Sequence, residues 1–227
     1  MGSIVVLGVF VADTSYRAER MPKMGETILG DSFALGPGGK GSNQAVAAGK
    51  LGADVSIISC LGDDSFANMA LQIWEDANVK PAIIKNKNAF TGAAFIFVNA
   101  KSGDNAIIIS PGAATDITPD TISENHALIA TADVFITQLE QPIEAAYAGL
   151  RVAKEHGRIT ILNPAPAAKL PNDIFALCDY ITPNETETEA ITGLSVCNAK
   201  DAKIASEALA QKGVKTPIIT MGEKGAL

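Results

Sequence analysis

The chain has 227 residues, 47% of them hydrophobic and 19% charged, with a formal net charge of −7 at pH 7. This is ordinary globular composition with room for one large α/β domain, and it excludes an intrinsically disordered chain. The acidic balance excludes a nucleic-acid-binding protein, whose partner demands a basic excess, and no apolar run approaches the length of a bilayer span.

No basic stretch precedes an apolar run at the N-terminus, so no secretory signal is read and a cytoplasmic location is expected. Cys60, Cys178 and Cys197 are odd in number and widely spaced, and they read as small buried side chains of a reducing compartment.

Short β-rich runs alternate with helical periodicity, the pattern of βαβ units in a largely parallel sheet. Strands are predicted over Ile4 to Val9, Val55 to Cys60, Val134 to Thr137, Ile159 to Leu162, Tyr180 to Thr182 and Pro217 to Thr220. One helical stripe runs through Phe66, Met69, Ala70, Ile73 and Ala77. A second, entered by Pro142, joins Ile143, Ala146, Tyr147 and Leu150; a third joins Ala202, Ala205, Ser206 and Leu209 and stops at Gly213. Two segments break the alternation. Thr14 to Leu35 reads as weakly helical with polar turns, and Thr91 to Ser110 as a hairpin turning at Lys101 to Asp104. Segments 14–35 and 89–111 are therefore expected to form a small sheet, a lid inserted in one domain spanning 1–227.

The glycine cluster Gly36-Pro37-Gly38-Gly39-Lys40-Gly41-Ser42-Asn43 stands directly before a helix of small residues. Glycines admit close backbone approach to a ligand, and a helix N-terminus adds partial positive charge. It is not a Walker A loop, because Gly41 follows Lys40. Gly36, Gly38 and Gly41 do satisfy the dinucleotide fingerprint, with Asp63 beyond a later strand, so a nicotinamide oxidoreductase is one alternative. That fingerprint must leave a strand directly, and Ile28 to Leu35 lacks a clean strand pattern.

Several carboxylates have plain structural readings. Asp13 suits a turn, and Glu140 suits the N-terminus of the helix after Pro142. Asn184-x-x-Glu187 is a capping pattern. His126 is expected to be partly buried beside Ile122, and His156 sits at a helix end. No catalytic triad order or metal-ligand spacing emerges.

Gly38-Gly39-Lys40-Gly41-Ser42-Asn43-Gln44-Ala45-Val46-Ala47-Ala48 resembles the first signature of the PfkB-type, ribokinase-like carbohydrate kinases. Gly25-Glu26-Thr27, Leu61-Gly62-Asp63-Asp64, Gln138-Leu139-Glu140, Asn163-Pro164-Ala165-Pro166-Ala167, Thr182 to Glu187 and Thr220 to Gly225 follow in the same order. The resemblance spans the chain and is greatest to ribokinases and deoxyribokinases. It implies a ribokinase-like α/β fold, doubly wound with helices on both faces of the sheet and a small β-sheet lid. It also implies transfer of a phosphoryl group from ATP, with Mg²⁺, to a terminal hydroxymethyl of a small sugar, and a monovalent cation such as K⁺ as a further candidate. Asp13, Gly39, Lys40, Asn43 and Glu140 match the sugar-holding positions. Asn184, Thr220, Gly222, Glu223, Lys224 and Gly225 match the nucleotide side, and Glu187 the residue that acts on the metal through water. Homodimerisation through the lid strands is expected from their uncovered edges and faces.

Two departures from the family stand out. Ribokinases usually carry Asn two residues before the Asp, and Val11 stands there, which points to a pentose other than ribose, such as 2-deoxyribose. The family's Gly-Ala-Gly-Asp loop, which carries the catalytic Asp, does not occur. The domain is therefore expected to be C-terminally incomplete, its catalytic Asp to lie beyond Leu227, and the chain itself to be inactive or nearly so. A non-catalytic sugar-binding or regulatory protein is the remaining alternative.

Overall fold

The computed structural model describes residues 2–227. The first half runs β1 (Ser3–Leu7), β2 (Val11–Ala18), β3 (Ser32–Gly38), α1 (Lys40–Lys50), β4 (Asp54–Leu61), α2 (Ser65–Asp76), β5 (Val79–Lys85), β6 (Thr91–Asn99) and β7 (Asn105–Gly112). The second runs α3 (Pro119–Glu124), α4 (His126–Thr131), β8 (Val134–Thr137), α5 (Ile143–Glu155), β9 (Ile159–Leu162), β10 (Tyr180–Ile181), α6 (Glu185–Thr192), α7 (Ala199–Gln211) and β11 (Thr216–Pro217).

Seven strands form one parallel sheet in the order β11-β10-β9-β8-β1-β4-β5. Both faces are covered, so its strands read as continuous apolar runs. Successive residues go to opposite cores: Val6, Ile57 and Leu61 pack with Phe10 and Trp74 from α2. Val5, Leu7, Ile58, Cys60 and Phe135 pack with Leu150 of α5 and Leu209 of α7. Trp74 also donates from Nε1 to Ser42 Oγ at 2.9 Å, which satisfies its one polar atom inside the core.

The other four strands form a separate sheet in the order β3-β2-β6-β7. Here β2 runs antiparallel to β3 and parallel to β6, and β6 and β7 make a hairpin. The fold is thus the one the resemblance implies, a doubly wound parallel sheet with a small mixed sheet as its lid. Three sequence readings change. Thr14 to Leu35 is not weakly helical: its ends are strands whose polar or exposed residues hide the strand period. β5 was not foreseen, because Lys80, Pro81 and Lys85 break its apolar run, as suits an edge strand. Cys197 and His126 are exposed, whereas Cys60 and Cys178 are buried.

Candidate active site

The site begins where β1 gives way to β2. Gly39 is the N-cap of α1 with φ 88°, a left-handed conformation, and a Cβ there would lie 2.3 Å from the Val9 carbonyl oxygen. Only glycine fits on both counts. A similar squeeze joins Gly8 to Gly41, where a Cβ on either would approach the other's Cα to 2.6 Å. Gln138 wedges beside both glycines and is fully buried, its Nε2 donating to Gln44 Oε1.

Glu140, just past β8, does not serve its own helix α5. Its Oε2 accepts from the Lys40 amide at 2.6 Å and its Oε1 from Lys40 Nζ at 2.8 Å, so it caps the charge of α1 from across the molecule. Asp13, on β2, lies over Gly38, where a Cβ would meet its carboxylate carbon at 2.5 Å. Burial pushes the Asp13 carboxyl above its ordinary value, the Glu140 charge pushes it further, and Lys40 pulls it back. Asp13, Lys40 and Glu140 thus form one electrostatic unit.

Two cavities meet at Lys40. The first, about 250 Å³, is lined by Lys40, Glu140, Val11 and Leu139, with Ile109 and Pro111 of the lid over it. The second, about 410 Å³, takes in Lys40, Asn43, Gln44, Asn163, Thr182, Asn184, Glu187 and Thr220. Its polar groups come from just beyond β9, β10 and β11 and from the start of α6, the C-terminal end of the parallel sheet where such folds bind ligands. Asn184 and Glu187 form a reciprocal capping box: Glu187 N donates to Asn184 Oδ1 at 2.8 Å, and Asn184 N to Glu187 Oε2 at 2.9 Å. The cap is real, and the same residues face the cavity.

Not every expected residue is gathered. Asp13 and Gly39 line neither cavity, although Asp13 senses Lys40 and Glu140. Gly222, Glu223, Lys224 and Gly225 form an exposed turn beyond Thr220, with φ 54° at Gly222 and 87° at Gly225. Lys224 there donates from Nζ to the Cys197 carbonyl at 2.8 Å. Gln44, Asn163 and Thr182 were not named as site residues, although all three stand in the family-matching blocks and Asn163 and Thr182 each follow a parallel strand. Asn163 Nδ2 donates to the Thr182 carbonyl at 3.1 Å.

The glycine fingerprint also resolves. Gly36 and Gly38 do lie in a strand, contrary to expectation, but that strand, β3, belongs to the small sheet and runs antiparallel to β2. A dinucleotide fold needs that turn to leave a parallel strand of the main sheet.

A family profile described as pfkB family carbohydrate kinase matches residues 1–227. The chain belongs to the PfkB carbohydrate kinases. Among its PfkB relatives, the ribokinase of Haemophilus influenzae is 38% identical over 224 residues, covering 98% of this chain and 73% of that protein. The deoxyribokinase of Salmonella typhi is 38% identical over 226 residues, covering 99% of this chain and 74% of the relative. The solved ribokinase of Arabidopsis thaliana complexed with ribose and ATP superposes with a TM-score of 0.93 at 28% identity, covering 100% of this chain and 74% of that one. Among the described residues no helix is long and apolar enough to cross a membrane, and no three His, Cys, Asp or Glu side chains gather as a metal cage.

Proposed function

We propose that the protein binds a pentose in the smaller cavity and ATP in the larger, for phosphoryl transfer to the sugar's terminal hydroxymethyl. The observation that carries this reading is Lys40, the one residue at the start of α1 shared by both cavities. Lys40 and Glu140, which line the smaller cavity, hold the sugar in this reading, with Asp13 and Gly39 acting from its edge and Asn43 from the adjoining larger cavity; Asn184 with Thr220 to Gly225 faces the nucleotide. A carboxylate accepting from two hydroxyls suits a neutral polyol. Strands β6 and β7 cover the sugar and exclude water, which otherwise competes as phosphoryl acceptor.

Mg²⁺ fits the residues present in one manner only. With no cage of acidic ligands among the described residues, it would be held by phosphate oxygens and water, with the buried Glu187 carboxylate accepting from that water. Bound so, it supplies charge neutralisation to the transferring phosphoryl group. A requirement for K⁺ belongs to the same proposal, as do a cytoplasmic location and a homodimer formed through the lid sheet.

Val11 is 6% exposed, lines the smaller cavity and offers no hydrogen bond. A ribose hydroxyl left unpaired against it costs about 1–3 kcal/mol, so 2-deoxyribose is favoured by roughly 5- to 150-fold. We further propose that these 227 residues alone turn over slowly. Glu140 and Glu187 are already engaged, and the Gly-Ala-Gly-Asp segment does not occur. A general base is worth about 10²–10⁴ in rate.

Calorimetric titration with ribose and 2-deoxyribose, followed by an ADP-release assay with ATP and Mg²⁺, tests each part separately. Tighter binding of deoxyribose with slow turnover is expected. A clear ribose preference ends the substrate assignment, absence of any sugar binding ends the kinase site, and rapid turnover ends the claim about the base.

A further inference from the structure

The parallel sheet has a second concavity, of about 390 Å³, at the opposite end of the strands from the cleft. Ile159, Tyr180 and Thr216, the first residues of β9, β10 and β11, lie in its wall. Three cations surround it: Lys154 near the end of α5, Arg158 just before β9, and Lys215 just before β11. A single carboxylate, Asp179, faces them.

Asp179 is already saturated. Its Oδ1 accepts from Lys154 Nζ at 2.9 Å and from Lys215 Nζ at 3.4 Å, and its Oδ2 from the Thr160 amide at 3.0 Å and hydroxyl at 3.1 Å. Among the described residues the Arg158 side chain is tethered only through Nε, which donates to the His156 carbonyl at 2.8 Å. The Arg158 charge helps lower the Asp133 carboxyl, after the hydrogen bonds from Ser3, but Asp133 does not line the concavity. Three cations against one carboxylate leave an excess of two positive charges, in a chain whose overall charge is −7. Two ammonium groups drawn to one oxygen also repel each other, and a further anion between them relieves that. The wall is not only charged: Ile159 is 45% and Tyr180 36% exposed, an apolar flank beside the cations.

We propose that this concavity binds a small phosphate monoester, with its dianion among Lys154, Arg158 and Lys215 and its organic part against Tyr180 and Ile159. Guanidinium and ammonium groups are the usual partners of such an anion, and a partly exposed phenol ring suits the attached carbon skeleton. The site is independent of the kinase reading, since none of its residues lines either cavity of the cleft.

Phenyl phosphate is the probe of choice, because it is neither a sugar nor a nucleotide. It is titrated calorimetrically into the full chain without ATP or Mg²⁺, and into Arg158→Ala/Lys215→Ala and Asn184→Ala variants. The double variant is expected to bind at least about tenfold more weakly, and the cleft variant to bind as the parent does. Lys215→Ala alone gives an independent reading, since that side chain is 76% exposed and the Lys154–Asp179 pair survives its loss. Failure of the parent to bind, or equal binding by the double variant, overturns the proposal. Inorganic phosphate binding as tightly as phenyl phosphate overturns the role of Tyr180 and Ile159.

Discussion

The two sheets of this molecule do different work. The seven-stranded sheet is covered on both faces, and β4 buries Ile57, Ile58, Ser59 and Leu61 completely. The four-stranded sheet leaves much of its surface open: Tyr16, Phe33, Ile107, Ile108 and Ile109 are all exposed. Yet Asp13 belongs to the second sheet and Ile109 roofs the smaller cavity. The contrast teaches that stability resides in the large sheet, whereas the small one, in the proposed function, serves affinity and covering.

The sharpest way to break this contrast is in the large sheet. Phe135 is fully buried and so close to α5 that a Cβ on Gly149 would lie 2.4 Å from its ring. Phe135→Ala is expected to lower the unfolding free energy by about 3–5 kcal/mol in urea titrations. A loss below about 1 kcal/mol would place the stability elsewhere.

Asp13→Asn should act in the opposite register. Removing a charged acceptor costs about 1.5–3 kcal/mol of sugar binding, a loss of roughly 10- to 150-fold by calorimetry. Stability should not fall with it. Because the folded state raises this carboxyl above its ordinary value, the fold favours the protonated form, and that contribution is lost as pH rises through the raised value. Asparagine removes the penalty at neutral pH. By the same sign, sugar affinity of the parent should weaken as pH falls through the raised value, and the variant's affinity should be flat there.

Asn184→Ala bears on both properties at once, since Asn184 caps α6 and faces the larger cavity. A stability loss of about 1 kcal/mol is expected, with weaker ATP binding alongside. Unaltered ATP affinity would leave Asn184 as a cap alone. The smallest effect belongs to Ile108→Ser, at a residue 64% exposed. Monomer stability should change by less than about 0.5 kcal/mol. If the small sheets pair two chains as proposed, sedimentation should reveal the variant as monomer; an unchanged association state contradicts that pairing.

What was legible in the sequence follows the same division. β8 and β9 fall on the residues expected, because a strand buried on both faces is a short apolar run with sharp ends. β2, Val11-Ala12-Asp13-Thr14-Ser15-Tyr16-Arg17-Ala18, carries polar residues along its middle and could not be told from turns. The capping role of Asn184 and Glu187 was readable, since it is a contact between neighbours in sequence. The pairing of Glu140 with Lys40 was not, because 100 residues separate them and only the strand order brings β8 beside β1. The contact between Asn163 and Thr182 was hidden likewise, although both stand in family-matching blocks: it comes from their following adjacent strands.

The parallel pairing of β2 with β6 has a consequence for the order of assembly. Ala12 lies opposite Ala93, and the chain between them makes β3, α1, β4, α2 and β5 before it returns. Closing so long a loop is an entropic burden that the intervening units must offset first. The roof is therefore expected to be hung only after much of the building stands.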